Sequence, residues 1–458
     1  MVSVSQEAAA EAFNRVLLEL ISDMVENASF PSAVESVEGQ KQPLLKLLSE
    51  FDPECPTHVG QLVVTKLLNL IVAKAEFLRR RTTLVSRPFG LLADPSNGCG
   101  LRCPGCVHSE ANGHTFIWPN GLLEEGTLRR FLRDFGPYAF QVGFFNYGEP
   151  FLNRQTPLFI QLAREYLLRT ILSTNLSMHI DPEAIVTSGL DYMIVSIDGA
   201  TQETYAKFRR GGRLDLVLSN VEQIVEEKGR QQAGRPYIVW QYLVFEHNQH
   251  EMDLAEELAR EIGVDAIYFS SPFSVAWDDP SIVVCASHQE RRVHFSPFST
   301  SLTEGASANP NADGISASIE ESWSARLSGE ASATSEVQDT CPWLYKGLVI
   351  DALGRVLPCC SAPTTEKNLV FAQIGEDLRD PYNSPMHVLA RRAFADERGC
   401  AAAIEGIPES DVPYCASCVW DKTGASLSVS GSDLRALLTL EERFAILAPE
   451  TVDALTDW

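Results

Sequence analysis

Apolar positions recur at helical spacing near the start of the chain. Phe13, Val16, Leu17, Leu20, Ile21 and Met24 lie one, three or four residues apart, the pattern that lines one face of a helix. A second helical stretch, GQLVVTKLLNLIVAKAEFLRRR, spans 60–81, and Pro53, Pro56 and Gly60 break the segment ahead of it. Residues 1–85 are therefore expected to form a helical N-terminal extension. From about residue 88 the texture changes. Short runs rich in β-branched and aromatic residues (FGLLADPS, FQVGFFNYG, RTILSTNL, DYMIVSIDG, YIVWQYLVF and DAIYFSS) alternate with amphipathic stretches such as EEGTLRRFLRDF, TPLFIQLAREYLL, LDLVLSNVEQIVEEKG and MDLAEELAREIG. Strands alternating with helices predict a parallel sheet with crossover helices. Six such units suit a partial (β/α)6 TIM-type barrel over residues 86–285. A doubly wound sheet is the alternative, and both architectures gather ligands at the C-terminal ends of the strands.

Residues 286–340 are rich in Ser, Ala, Gly and acid, the texture of a flexible insertion or linker. Residues 341–425 form a second cysteine-bearing region. In it, GLVID, a turn at ALG and RVLPCC read as a hairpin, so a small α+β domain is expected. A final helix, GSDLRALLTLEERFAIL, lies within 426–458.

Charge narrows the partners. The chain has 37 basic and 61 acidic residues, a net charge of −24, which argues against general binding to nucleic acid or to an anionic membrane surface. It contains no uninterrupted apolar run of about eighteen residues, the length a spanning helix needs. The N-terminal residues lack the basic start and apolar core of a signal peptide, so a cytoplasmic, reducing location is expected.

Of the 11 cysteines, three lie in CGLRCPGC: Cys99, Cys103 and Cys106, spaced C-x3-C-x2-C just after the first predicted strand. Gly100, Pro104 and Gly105 favour an irregular loop there. Soft thiolates suit zinc or an iron–sulfur cluster. Three from one loop leave one position of a cubane open, whereas a structural zinc site wants a closed set of four, for which His108 is the nearest further ligand.

CGLRCPGC at the first strand–loop junction resembles the signature of the radical S-adenosylmethionine (SAM) superfamily. Further segments follow in the family's order over roughly residues 88–271. YGEP (Tyr147, Gly148, Glu149, Pro150) resembles the glycine–glutamate–proline motif that contacts the SAM amino group. STN (Ser173, Thr174, Asn175) is similar to the ribose-contacting segment. In SIDG and the following YAKFRR, Ser196, Asp198 and Arg209 fall where related enzymes approach the SAM ribose and carboxylate. From the residues alone, the alternatives are Glu149 as a helix N-terminal acid, Arg209 as a surface charge and 173–175 as turn and capping residues.

The resemblance implies that Cys99, Cys103 and Cys106 hold a [4Fe–4S] cluster with one iron free to chelate SAM. It implies reductive cleavage to a 5′-deoxyadenosyl radical, hydrogen abstraction from a small-molecule or peptide substrate, and flavodoxin or ferredoxin as electron donor. Cys341, Cys359, Cys415 and Cys418, as C-x12-G-x4-C followed by C-x2-C, resemble the auxiliary-cluster (SPASM/twitch) region behind many such barrels. The set implies one auxiliary [4Fe–4S] cluster, which would assist oxidation, cyclisation or epimerisation. Cys360 neighbours Cys359 as an alternative ligand, and a four-thiolate zinc site is the competing reading. The alternative for the whole chain is an iron–sulfur or zinc-binding scaffold or redox sensor without SAM chemistry.

Overall fold

The computed structural model describes residues 4–26, 29–109, 119–272, 279–285, 288, 290–296, 341–360, 367–375, 380–395, 404–408, 411–417 and 431–457. Six strands, β1 (Gly90–Ala93), β2 (Gln141–Phe144), β3 (Arg169–Thr174), β4 (Tyr192–Ser196), β5 (Tyr237–Leu243) and β6 (Ala266–Ser270), pair in chain order and all in parallel. The expected β/α alternation is present, and the sheet stays open as a partial barrel.

Alternation along the strands sorts their side chains into two cores, as the period of two requires. Met193 and Val195, Ile238 and Trp240, and Ile267 and Phe269 face the crossover helices. Ile171, Tyr192, Ile194, Tyr237, Val239 and Tyr268 face the inside of the barrel and form a separate cluster. The helices answer with one apolar stripe each. In Glu125–Phe135 the buried residues are Leu128, Phe131, Leu132 and Phe135, at positions i, i+3, i+4 and i+7.

The sheet runs further than the six strands. β7 (Arg291–His294) pairs antiparallel with β6. It lies within the segment expected to be a linker. Its Val293 packs against the barrel core while Arg292 lies over Tyr268, contacts that composition does not encode. On the other side, β8 (Gly347–Ile350) pairs in parallel with β1, and β9 (Arg355–Leu357) and β10 (Ala372–Gln373) extend it antiparallel. The order is β10-β9-β8-β1-β2-β3-β4-β5-β6-β7. The hairpin read at 347–360 is therefore present, but it is built into the barrel sheet rather than standing apart as a small domain. Its turn uses Gly354 at φ +75°, a conformation that strongly favours glycine.

Helices Val4–Glu26, Phe30–Gly39, Lys41–Phe51 and Thr57–Leu78 make up the N-terminal region. Their apolar faces share one core with Leu434, Leu437, Phe444, Val452 and Leu455 from the C-terminal region. The Asn14 side chain donates to the Ile446 carbonyl at 2.7 Å and accepts from the Ala448 N–H at 2.8 Å. The expected single C-terminal helix is two, Gly431–Leu440 and Pro449–Thr456, separated by a 3-10 turn at Glu442–Phe444. Pro449 suits the first turn of the second because it lacks the N–H that would go unbonded there. No helix among the described residues is long and apolar enough to cross a membrane.

Candidate functional site

Cys99, Cys103 and Cys106 lie on the loop after β1, at the C-terminal end of the barrel. Gly105 turns that loop at φ +75°. The three cysteines line a cavity of about 280 Å³ with Tyr147, Gly148, Glu149, Ser173, Thr174, Asn175, Ser196 and Arg209. Five segments spread over 110 positions thus converge: four end or follow neighbouring parallel strands, and Arg209 follows the helix after β4.

Gly148 is required by close approach. A methyl group in place of its hydrogen would collide with the carbonyl oxygens of Ser96 and Gly98. The neighbouring Glu149 N–H donates to the Gly98 carbonyl at 2.8 Å, which locks the segment after β2 onto the base of the cysteine loop. Glu149 itself is 1% exposed and fully engaged. Its Oε1 accepts from Thr174 Oγ1 at 2.6 Å and from the Phe151 N–H at 3.1 Å, and its Oε2 accepts from the Asn175 N–H at 2.8 Å. Burial raises its pKa, and those three donors partly offset the rise. Pro150 begins the 3-10 turn Pro150–Leu152 and lies outside the cavity wall.

Arg209 follows the short helix Gln202–Phe208 and donates to Asp198, which is completely buried behind it. Asp198 also accepts from the Leu243 N–H at 2.6 Å, so it braces Arg209 without lining the cavity. Burial works most strongly against the Arg209 charge, but Asp198, Cys103 and Tyr205 together, with the Asp198 hydrogen bond, outweigh it and hold the guanidinium above its ordinary value. The surface-charge reading of Arg209 is thereby replaced by a buried ion pair.

The sulfurs are dressed with donors. Leu101 N–H lies 3.4 Å and Asn175 Nδ2 3.5 Å from Cys99 Sγ, and Arg209 Nη1 lies 3.9 Å from Cys103 Sγ. Burial pushes the Cys99 thiol up to about 11 and the Cys103 thiol up to about 12. A thiolate is stable in such a place only beside a cation, so this donor set suits an iron–sulfur cluster, whose irons supply the charge. Among the described residues no three His, Cys, Asp or Glu side chains are drawn together closely enough to hold a single metal ion. His108, the possible fourth zinc ligand, instead donates from Nε2 to the Tyr147 carbonyl at 2.9 Å.

Sequence reasoning missed several residues of the wall: Asn146, Phe208, Leu243 and Pro272 line the cavity. It also missed Asp94, fully buried at the end of β1, which accepts from the Tyr147 N–H at 3.1 Å. The available signal was position, since each except Phe208, which ends the helix Gln202–Phe208, lies at or just beyond the C-terminal end of a strand.

In the second set, Cys341, Cys359 and Cys360 pack around one apolar cluster containing Leu92, Trp343, Val349, Leu357 and Leu369. Tyr414 joins that cluster, and the adjacent Cys415 is buried against the main core. Cys418 and Cys400 lie outside the described residues.

Residues 94–251 match the sequence model of the Radical SAM superfamily. This segment is a radical SAM domain. The domain spans the first cysteine triad, YGEP, STN, SIDG and Arg209, and the superfamily implies SAM and a [4Fe–4S] cluster. The chain is 25% identical over 202 residues to the AdoMet-dependent heme synthase of Methanosarcina barkeri, a match covering 43% of this chain and 54% of that protein. It is 34% identical over 134 residues to the Fe-coproporphyrin III synthase of the same organism, covering 28% and 32%. The radical SAM match therefore spans about half of one relative and a third of the other. Among solved structures, Streptococcus suis SuiB bound to S-adenosylmethionine aligns over 97% of this chain and 92% of its own, with 13% identity and a TM-score of 0.46.

Proposed function

We propose that the chain reductively cleaves SAM to a 5′-deoxyadenosyl radical that abstracts hydrogen from a small-molecule or peptide substrate. The observation that carries this reading is the convergence of three thiols, Glu149, Ser173–Asn175, Ser196 and Arg209 on one cavity. When bound, a reduced [4Fe–4S] cluster on Cys99, Cys103 and Cys106 supplies the electron for that cleavage. Arg209, held charged by Asp198, offers a guanidinium to the SAM carboxylate. Glu149 acts by position: both its oxygens hold the wall formed by Thr174 and Asn175, which leaves Ser173 and Ser196 to face the ribose diol.

Cys341, Cys359, Cys415 and Cys418 are proposed to hold one auxiliary [4Fe–4S] cluster, which would make the overall reaction an oxidation, cyclisation or epimerisation. The clustering of Cys341 and Cys359 beside Tyr147 supports that reading, and Cys360 in the same cluster is an alternative ligand. A cytoplasmic flavodoxin or ferredoxin would deliver the electron. Arg102 is exposed on the cysteine loop and its N–H bonds the Arg210 carbonyl, in the FRRGGR stretch, at 3.0 Å, so an acidic donor would meet positive charge there.

The test is anaerobic iron and sulfide content together with 5′-deoxyadenosine release from SAM under dithionite. It is run on the wild type and on the Cys99→Ala, Cys103→Ala, Cys106→Ala triple variant. The expected result is roughly eight irons falling to about four, at four per cubane, with SAM cleavage lost. A fully loaded wild type that leaves SAM intact, or one that takes up zinc instead, returns the chain to the scaffold or sensor reading.

A further inference from the structure

Glu251 belongs to none of the motifs and is not part of the cavity wall, yet it is buried and takes four donors. It ends the 3-10 turn Gln249–Glu251 that follows β5. Its Oε2 accepts from the Ala200 N–H at 2.7 Å and the Thr201 N–H at 3.1 Å. Its Oε1 accepts from Thr201 Oγ1 at 2.6 Å and Thr204 Oγ1 at 2.8 Å. Burial raises its pKa, but these donors outweigh burial and hold the carboxyl below its ordinary value. All four donors belong to the start of the helix Gln202–Phe208, whose N-cap is Thr201. Phe208 and Arg209, at the other end, line the cavity. A helix of seven residues is about 10 Å long and too short to hold its shape alone, so outside contacts decide where its ends stand. At the cavity end Asp198 braces Arg209, and Phe208 packs against Phe245 with ring centroids 4.6 Å apart. At the far end Glu251 clamps the first turn.

We infer that Glu251 is a positioning residue that sets where the Arg209 guanidinium stands against the carboxylate of SAM. The inference rests on the proposed function, in which Arg209 meets that carboxylate. A guanidinium–carboxylate pair is strong only in a specific geometry, so a tilt of the helix that delivers Arg209 weakens it. Glu251→Gln keeps the side-chain shape but puts an NH2 group where an oxygen accepted, which leaves a donor of the first turn without its acceptor. The turn shifts and Arg209 shifts with it. Ser173 and Ser196, which face the ribose, stand on β3 and β4 and do not depend on that helix. The loss therefore falls on the amino-acid half of the ligand and spares the adenosine half.

The experiment is anaerobic equilibrium dialysis of the iron-loaded wild type, Glu251→Gln and Thr204→Val with two probes. S-adenosylhomocysteine and 5′-methylthioadenosine both carry adenosine and a thioether, and only the first carries the amino-acid carboxylate. The readout is the ratio of the two affinities, which a general loosening of the fold leaves alone because it weakens both probes together. The preference for S-adenosylhomocysteine is expected to fall about tenfold in Glu251→Gln and about threefold in Thr204→Val, which removes one donor and keeps the side-chain shape. An unchanged ratio in both variants overturns the inference. If Glu251→Gln does not fold, an unchanged ratio in Thr204→Val overturns it alone. A wild type that binds the two probes equally, or binds neither, counts against the proposed function itself, and the inference falls with it.

Discussion

Thr174 Oγ1 donates to Glu149 Oε1 at 2.6 Å, and that bond ties the end of β3 to the segment following β2. The same carboxylate takes the Asn175 N–H on its other oxygen, so one buried acid holds two turns of the cavity wall in register.

Glu149→Gln places an amide nitrogen against one of those donors. A buried donor left without an acceptor costs about 1–3 kcal/mol, and the wall that faces SAM loosens with it. The expected outcome is an unfolding free energy lower by that amount and SAM affinity reduced by about tenfold, the equivalent of about 1.4 kcal/mol. Denaturation curves and anaerobic dialysis with SAM measure the two effects separately.

Gly148→Ala is expected to be at least as damaging to binding although it adds a single methyl group. The obstacles are backbone carbonyls of Ser96 and Gly98, which cannot swing aside as a side chain would. The cysteine loop or the 147–150 segment must move. Iron content after anaerobic reconstitution is expected to drop and SAM cleavage to fall by about a hundredfold, about 2.7 kcal/mol of barrier. Retention of both would show that the loop yields without consequence.

Arg209→Met strands Asp198, whose side chain is 0% exposed. Removing one member of a buried pair costs about 3–5 kcal/mol because the other charge stays behind. The double variant Arg209→Met, Asp198→Asn is expected to recover part of that stability and none of the SAM affinity. Recovery of both together would assign Arg209 a purely structural part.

His387 supplies a pH dependence remote from the site. It is fully buried on the helix Pro385–Ala395, donates from Nδ1 to the Pro381 carbonyl at 3.1 Å, and sits edge-on to Phe371. Burial, reinforced by Arg391, holds its pKa well below 6.5. The unfolded chain therefore binds the proton first. Stability is complete above about pH 6.5 and falls as the pH drops below it, by up to about 1.4 kcal/mol per pH unit for one proton. Urea midpoints for wild type and His387→Gln between pH 5 and 7.5 are expected to converge at the acid end. Parallel curves would remove His387 as the cause.

The six-strand barrel was legible because its strands carry β-branched and aromatic runs and its helices carry apolar stripes, both periodic signals. The cavity was legible through short motifs that happen to end those strands. What escaped has no periodic signature. β7 is four residues, RRVH, held by packing against the barrel and by Arg292 over Tyr268, so its composition reads as linker. Asp94 carries no signal in the sequence, since only the fold brings the Tyr147 N–H onto it. The hairpin was visible, but its parallel pairing with β1 joins Gly347 to Gly90 across 257 positions, a register no local pattern encodes. Glu149 is assigned to the ligand from its motif, and the fold adds what the motif does not encode: its oxygens also take the Thr174 hydroxyl and the Asn175 N–H.

The clasp between Asn14 and the Ile446–Ala448 turn bears on how the chain is made. Helix Val4–Glu26 is synthesised more than 400 positions before the residues from Phe444 to Leu455 that cover part of its apolar face. The six barrel strands pair with near neighbours and can assemble during synthesis, while the N-terminal helices keep apolar surface exposed until Phe444–Leu455 have emerged. Contacts of such high sequence separation are slow to close, and the surface left open meanwhile is a target for chaperones or for aggregation.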